Sequence, residues 1–401
     1  MDELYLMTPM EIAWGYLFGH IGSLPTPTNP KAGPREVLEQ VVRQALLRPP
    51  CGVAFSGGRD SSLVLAVATH VARRDGLPEP VPITRVFPNV PESQEHEWQE
   101  AVVRHLGLRD WQRLIIEDDF DVVGPHAVPH LLAHGVVWPP SIAVELPLLD
   151  TVQGGSLLDG EGGDEVLGVS AHRVESLTDV IRRPRPLRWG RVRSALGALA
   201  PAGLRGRHAR QQWEAQRLPW LRPNAWEPLI AALEESERER PLSFAASVRM
   251  VPTRRSQVLG GHNVRIFARQ RNVEASSPLL NPDFVHALAG DGGVLGRLDR
   301  TTALRVIASD LLPDEVLSRT SKATFTMCYM AEHTRQFAAQ WSGHGLDPDL
   351  VDPEALRRNW LGERPAAPTA ALLQAAWLAS ADRNRSFDPF QQPPVADAHD
   401  A

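Results

Sequence analysis

Apolar residues in the first 170 positions fall into short runs that are separated by longer stretches with a helical period. Between residues 35 and 47 they recur every three or four positions, which predicts a helix with one buried face. The apolar run 52–55 follows and predicts a short buried strand. Residues 61–74 return to the helical period, with Leu63, Val67 and Val71 on one face. Helix, strand and helix are therefore predicted in that order.

The alternation of strand and helix continues to about residue 158. Further strands are predicted at 81–87, 114–116 and 155–158, and further helices at 92–107 and around 141–151. Strands that alternate with helices pair in parallel and carry helices on both faces of the sheet. The sequence thus predicts an α/β fold with a doubly wound parallel sheet, in which ligands bind at the carboxyl ends of the strands.

Strand signals fade after Val169, and proline-rich loops separate helical stretches from there to about residue 385. The chain is accordingly divided into an N-terminal segment with a linker, an α/β core, a helical region and a disordered tail, at 1–34, 35–170, 171–387 and 388–401. Within the helical region, the insertion 182–210 holds nine arginines and no acidic residue.

Composition narrows the function classes. With 43% hydrophobic residues and a mean hydropathy of −0.23, the chain is neither disordered nor membrane-spanning. A net charge of −6 argues against a dedicated nucleic-acid-binding protein, which usually carries an excess of basic residues. Its two cysteines are too few for a disulfide framework, and the acidic N-terminus lacks the features of an export signal. A cytoplasmic location is therefore expected.

The first chemistry-bearing motif is SGGRDSS, residues 56–62, which follows the first predicted strand directly. Adjacent glycines let successive backbone N–H groups converge on an anion, and the following helix directs its positive end to the same point. Asp60 by itself would repel that anion, but it is suited to bind a magnesium ion that bridges to a polyphosphate. A polar helix cap would use the same glycines and serines, so the alternative is purely structural.

The second motif is LLDGEGGDE, residues 157–165, at the end of the fourth predicted strand. Its glycines again free the backbone around several carboxylates, which repel one another unless a cation neutralises them. A magnesium ion shared with Asp60 would supply that cation. A solvated acidic turn is the alternative for this motif taken alone.

Together the two motifs resemble the synthetase domain of asparagine synthetase and its relatives, which include β-lactam synthetase and the lasso peptide cyclases. The family pattern is SGGxDSS followed about a hundred residues later by GEGxDE. Residues 93–108 resemble the family helix after the second strand, 273–289 its "VE.R.PFLD" region, and 298–325 its "LR…LP…R.K..F" stretch. This resemblance implies a fold of the PP-loop ATP pyrophosphatase type over roughly 35–385.

The resemblance also implies ATP and Mg²⁺ as cofactors, and a role for each matching residue. Pyrophosphate would be held by the first loop, through Ser56, Gly57, Gly58, Ser61 and Ser62. Mg²⁺ would be held by Asp60 and Asp164. Ala54 and Val86 would flank adenine, and Gly160 would offer its backbone to the nucleotide. Glu161 takes the place of the family's base, and Lys322 the place of its charge-stabilising lysine.

Lys322 also stands out by residue type. Forty of the 42 basic residues are arginine, so a lysine in RTSKATF indicates a site that needs a compact point charge rather than a planar fork. An exposed lysine without function is the alternative.

Two departures from the family pattern bear on the substrate. Glutamine-using asparagine synthetases begin with a glutaminase domain, but here Asp2 follows Met1 and about fifty residues precede the first strand, so no glutaminase domain is expected. The amine would then be ammonia from solution or a partner, or a group on a larger substrate. The acyl pocket is also expected to differ, because 276–281 reads SSPLLN instead of R.PFLD.

The sequence therefore predicts an AMP-forming carbon–nitrogen ligase that joins a carboxylate and an amine in a specialised metabolite or peptide macrolactam. Alternatives are an ammonia-dependent asparagine synthetase, a tRNA-modifying ATP pyrophosphatase and an inactive nucleotide-binding subunit. The arginine-rich segment 182–210 is either a docking site for a precursor peptide, a carrier protein or RNA, or a solvated insertion. No membrane partner is expected.

Overall fold

The structure, a computed structural model of the chain, describes residues 3–116, 120–168, 172–182, 189–297, 299–321, 323 and 325–386. Of the regions singled out above, the predicted tail from 388, part of the arginine-rich insertion at 183–188, and Lys322 lie outside the described residues.

A five-stranded sheet, parallel throughout, forms the centre of the α/β core. Its strands run in the spatial order β3-β2-β1-β4-β5, which puts β1 in the middle. In chain order β1 to β5 are Cys51–Ala54, Val81–Val86, Gln112–Ile115, Ser156–Leu158 and Glu274–Ser276. The predicted α/β fold with a parallel sheet is confirmed, and its first four strands differ from the predicted ranges by at most two residues at either end.

The fifth strand was not predicted. Glu274–Ser276 lies in the region expected to be helical, yet it pairs with β4 along Ser156–Leu158. Three residues of the sequence Glu-Ala-Ser have neither an apolar run nor a period, so no local signal marks a strand. The pairing depends on tertiary structure, because the chain after α13 runs beside β4, whose edge would otherwise be open.

Helices surround the sheet and continue to the end of the described chain. In chain order, α1 to α20 are Pro9–Trp14, Pro34–Leu46, Arg59–Asp75, His96–Leu106, Ala127–His134, Leu146–Thr151, Gly163–Val166, Glu175–Arg182, Trp189–Leu199, Ala202–Glu214, Pro223–Glu239, Phe244–Met250, Arg255–Gln270, Pro282–Gly292, Arg300–Ala308, Asp314–Ser318, Thr326–Tyr329, Glu332–Gln340, Pro353–Trp360 and Ala370–Ser386.

Both faces of the sheet are covered, as the doubly wound prediction requires. On one face Val53 and Leu158 pack with apolar residues of α2, α3 and α4. On the other face Ile83 and Leu157 pack with residues of α6 and α13. Residues 61–69 of α3 are buried without interruption, because this helix packs against the sheet and against its neighbours α2, α4 and α15. Burial of this kind, at roughly 25 cal/mol per Å² of apolar surface, holds the loop before α3 in place.

The N-terminal segment packs along α13. The backbone N–H of Tyr5 donates to Oδ1 of Asn263 at 2.7 Å, and Asn263 donates back to the carbonyl of Tyr5 at 3.1 Å. Glu11 in α1 forms an ion pair with Arg255 at the start of α13. Residues 21–25 then run on to the mouth of the main cleft. The division into domains predicted from the sequence stays a prediction, although this segment is joined to the helical region by these contacts.

The carboxyl-terminal helices form a second apolar core around four tryptophans, Trp220, Trp226, Trp341 and Trp360. Trp220 and Trp226 are therefore core residues. None of the helices within the described residues is long and apolar enough to cross a membrane.

Candidate active site

A large cleft opens at the carboxyl ends of the central strands and has a volume of about 1010 Å³. The loops after β1 and β4 form its floor, and one face of α13 forms the opposite wall. Residues 21–25 of the N-terminal segment and residues 319–321 close its sides. This is the edge at which parallel α/β sheets bind ligands.

Hydrogen bonds tie the loop after β1 to the start of α3, because the backbone N–H of Ser56 donates to Oγ of Ser61 and that of Gly58 donates to Oγ of Ser56, each at 3.3 Å. Gly57 has a φ of 84°, and a Cβ there would lie 2.7 Å from the side chain of Gln99, so only glycine fits. The hydroxyls of Ser56 and Ser61 are 3.1 Å apart. Helix α3 begins at Arg59, with Gly58 as its N-cap. The local geometry is that of an anion-binding helix N-terminus.

Two buried side chains hold the carbonyl oxygens of this loop. Gln99 of α4 donates to the carbonyl of Ser56 at 3.0 Å, and Arg319 donates to the carbonyl of Gly57 at 3.0 Å. Arg319 is 8% exposed, forms an ion pair with Glu95, and lies 4.8 Å from the ring centre of Trp98. Carbonyl oxygens that accept these hydrogen bonds are turned towards protein donors, so they do not repel an anion in the cleft.

The loop after β4 touches the first loop directly. A Cβ on Gly160 would lie 2.7 Å from the backbone nitrogen of Ser61, and one on Gly163 would lie 2.2 Å from Cγ of Asp60. The glycines of the second motif are thus needed for contact as well as for turning. Gly162, with a φ of 83°, makes the turn itself.

This contact brings the two predicted metal ligands to one cation. Arg300, the first residue of α15, forms ion pairs with both Asp60 and Asp164 through its two terminal nitrogens. Burial raises the pKa of Asp60, although Arg300 opposes this shift. Two carboxylates that converge on one positive charge beside an anion-binding loop fit a magnesium ion, which takes one or two carboxylates and completes its shell with substrate phosphates and water.

Two further acids lie on the floor of the cleft after β4. Burial, with the nearby Glu161 carboxylate, raises the pKa of Asp159 to about 7. Asp159 accepts hydrogen bonds from the hydroxyl of Ser277 at 3.0 Å and from the backbone N–H of Glu161 at 2.9 Å. Desolvation and the Glu165 carboxylate raise the pKa of Glu161 itself, which Gln257 of α13 contacts at 3.4 Å. A carboxylate with a raised pKa is suited to accept a proton near neutral pH.

Most of the predicted site residues lie together in this cleft. Eight line it: Ala54, Ser56, Gly58, Asp60, Ser61, Gly160, Glu161 and Asp164. Gly57 belongs to the same loop without lining the cleft, and its carbonyl accepts a hydrogen bond from Arg319. Ser62 is fully buried, and its Oγ has no hydrogen-bond partner among the described residues. Val86 ends β2 and is not among the lining residues. Lys322 lies outside the described residues, so its predicted role stays a prediction.

Sequence reasoning missed four polar side chains of the cleft. Arg300 and Arg319 reach the first motif from 240 and 262 positions away. Gln257 contacts Glu161, and Arg85 forms an ion pair with Glu145 at 2.9 Å. Arg319 stands in the RTSKATF stretch, in which the family resemblance predicted a role for the lysine but none for the arginine. Arg300 has no sequence signal, because only the fold brings it to Asp60.

Comparison with known families agrees with this geometry. The sequence profile described as asparagine synthase matches residues 34–380, which include both glycine turns, α13 and Arg319. The chain belongs to the asparagine synthase family. Membership identifies it as a ligase-type enzyme, an ATP-dependent synthetase that forms amides. A comparison with curated proteins found no significant match.

Proposed function

We propose that this member of the asparagine synthase family activates a carboxylate as an acyl-adenylate and transfers the acyl group to an amine. The observation that carries the proposal is the meeting of the two glycine turns, where Asp60 and Asp164 converge on one cation beside an anion-binding loop. This arrangement suits a metal-bound triphosphate whose pyrophosphate end lies on the first loop.

In the first step a substrate carboxylate oxygen attacks the α-phosphorus of ATP, and pyrophosphate leaves. Ser56, Gly58 and Ser61 line the cleft beside the start of α3 and would hold the leaving pyrophosphate. Asp60 and Asp164 would hold Mg²⁺, which when bound offsets the negative charge of the phosphates. Ala54 at the end of β1 would contact adenine, and Gly160 would offer its backbone to the nucleotide.

In the second step an amine attacks the acyl carbonyl, the amide forms and AMP leaves. The amine must lose a proton as the bond forms, and Glu161, which lines the cleft, would accept it. Its raised pKa supports this role. Lys322 would stabilise the negative charge that develops on the tetrahedral intermediate, a contribution of roughly 3 to 4 kcal/mol for such a group.

We further propose that the amine is part of a larger substrate, in a specialised metabolite or a peptide that closes to a macrolactam. The cleft, at about 1010 Å³, extends from the nucleotide loops to α13, which supports a substrate that lies beside ATP along this helix. Two adjacent glycines of α13, Gly260 and Gly261, line this wall, and a Cβ on Gly260 would lie 3.4 Å from the indole nitrogen of Trp138.

The test incubates the full chain with ATP and Mg²⁺ and a panel of amino acids and peptides that carry both a carboxylate and an amine. Mass spectrometry follows AMP, pyrophosphate and a product that has lost one water. A separate incubation with aspartate and ammonia tests for asparagine. AMP with a dehydrated peptide or metabolite supports the proposal, whereas ADP as the nucleotide product contradicts it. Asparagine as the sole product would replace the larger substrate by aspartate.

Lys322→Ala tests the assignment of the charge-stabilising group. This variant is expected to bind ATP nearly as the unchanged protein does, and to lose amide formation by about 100-fold or more. Lys31→Ala is a matched control, because Lys31 is the other lysine of the chain and is exposed in the N-terminal segment. Near-normal turnover of Lys322→Ala would remove Lys322 from the mechanism.

A further inference from the structure

Arg300 occupies a central position in the cleft that no part of the proposed chemistry uses. It is the first residue of α15, and the N-cap Asp299 fixes that helix end by accepting a hydrogen bond from the backbone N–H of Thr302 at 2.8 Å. One terminal nitrogen of Arg300 donates to Oδ1 of Asp164, and the other donates to Oδ1 of Asp60. The guanidinium therefore spans the two loops.

The contact is shielded from solvent. The side chains of Arg300 and Asp60 are 15% and 16% exposed, so water screens their attraction only in part. Asp164, at 43%, faces the open cleft. Charged hydrogen bonds to a planar, permanently charged guanidinium are strong, and an ion that binds these carboxylates must replace them.

Charge decides whether a metal ion can join this group. One arginine and two carboxylates carry a net charge of −1. A divalent cation added to them would make the group +1 and would bring two positive centres to the same pair of carboxylates. A triphosphate supplies several negative charges beside the same loop, and its oxygens offer the guanidinium a new partner. Metal and nucleotide together are then favourable where the metal alone is not.

On the basis of the proposed function, we propose that Arg300 competes with the divalent cation for Asp60 and Asp164, so that the metal ion binds well only together with the nucleotide. The phosphates then take over the guanidinium as the carboxylates turn to the metal. Arg300 is thus a positioning residue that couples the binding of the two ligands. Such a coupling is reciprocal, because each ligand raises the affinity for the other by the same factor.

The variant Arg300→Gln separates this role from a merely structural one by the signs of two affinities. Without Arg300, nucleotide-free protein is expected to bind Mn²⁺ about tenfold more tightly, because the competitor is gone. The same variant is expected to bind ATP in the presence of EDTA about tenfold more weakly, because the phosphates lose a cation. Calorimetric titration measures both affinities and needs no turnover.

Arg305→Gln is the matched control. Arg305 lies on the same helix and forms an ion pair with Asp314, but both side chains are exposed and neither lines the cleft. Its loss is expected to change neither affinity. The double variant Arg300→Gln/Asp60→Asn is expected to lose the gained Mn²⁺ binding, which locates the ion. Thermal unfolding of each variant verifies that it is folded.

Equal Mn²⁺ affinity of Arg300→Gln and the unchanged protein would overturn the proposal, as would a fall in both affinities. The proposed function fails separately. If no panel substrate yields AMP while the two affinities still move in opposite directions, the coupling by Arg300 stands and the adenylation chemistry does not.

Discussion

At the scale of single residues, the floor of the cleft holds an aspartate, Asp159, whose pKa the fold raises. Asp159 follows β4 and accepts hydrogen bonds from Ser277 and from the backbone of Glu161. Its pKa is raised from an ordinary 3.8 to about 7, mainly by burial. Between these two pH values the folded protein holds a proton that the unfolded chain has lost, so the free energy of unfolding falls as the pH rises through this window.

Asp159→Asn tests this reading, since an amide can accept from Glu161 and donate to Ser277 but cannot ionise. Relative to the unchanged protein, the variant is expected to be more stable at pH 8 by on the order of 1 to 3 kcal/mol, with a small difference at pH 4. Urea denaturation at the two pH values measures it, with the exposed Asp110→Asn as control. A gain that is the same at both pH values would contradict the raised pKa.

At the scale of elements, the site is a contact between two turns and the helices that hold them. The strands β1 and β4 are neighbours in the sheet, so the loops that follow them leave from adjacent positions at one edge. Apolar runs and glycines in the sequence were enough to predict both turns and their shared edge. The contact between the turns is possible because Gly160 and Gly163 carry no side chain, and the sequence does not show that these two glycines face the other turn.

Gly163→Ala tests the contact between the turns. Gly163 begins α7 with ordinary helical backbone, so alanine is tolerated there except that its Cβ would lie 2.2 Å from Cγ of Asp60. The variant is expected to remain folded and to lose about 10- to 100-fold in affinity for Mg²⁺ and ATP, because Asp60 is pushed from its place. Gly197→Ala in α9, where a Cβ meets nothing within 4 Å, is the control. Unchanged nucleotide affinity of Gly163→Ala would show that the turns need not touch.

Arg319→Lys tests how the first loop is held. A lysine keeps the charge but cannot hydrogen-bond Gly57, Glu95 and Ser321 at once as the planar fork does. We expect the dissociation constants of ATP and pyrophosphate to rise about tenfold, and that of adenosine, which has no phosphate, to stay the same. Arg205→Lys is the control, because Arg205 donates to backbone carbonyls far from the cleft. A parallel loss of adenosine affinity would make Arg319 a general stability residue.

At this scale, the features that could not be predicted are those that depend on contacts between residues far apart in the sequence. Strands β1 to β4 carry apolar runs, and their helices carry a period, so local patterns predict them. Strand β5 carries neither, and it forms because β4 offers a partner. Arg300 and Arg319 are equally hidden from local patterns, since they contact residues that lie 240 and 262 positions away in the chain.

At the scale of the whole molecule, one cleft collects residues that lie far apart along the chain. The N-terminal segment contributes residues 21–25, the α/β core contributes both turns, and the helical region contributes α13, Arg300 and Arg319. Family membership was predictable, because the family's motifs occur in order along the chain, and the matching profile confirms it. The substrate was not, because the wall that meets it is built from helical residues such as Gly260 and Gly261, which no motif marks.

Within the arginine-rich insertion, the described arginines divide between structure and surface. Arg205 donates to the carbonyls of Ala200 and Glu237, and Arg191 forms an ion pair with Asp179. These two residues join helices within this chain, so part of the excess of arginine needs no binding partner to explain it. A role for 182–210 in docking a peptide, a carrier protein or RNA stays a prediction.

The central claim is that Asp60 and Asp164 share one divalent ion while the cleft holds a triphosphate. The most direct measurement is the affinity of the Mg²⁺ complex of α,β-methylene ATP for the unchanged protein, Asp60→Asn, Asp164→Asn and the double variant. Each single variant is expected to lose about 10- to 100-fold. The double variant should then bind no more weakly than the poorer single variant, because either change removes the same ion. Losses that multiply, or single variants that bind as the unchanged protein does, would contradict the shared site.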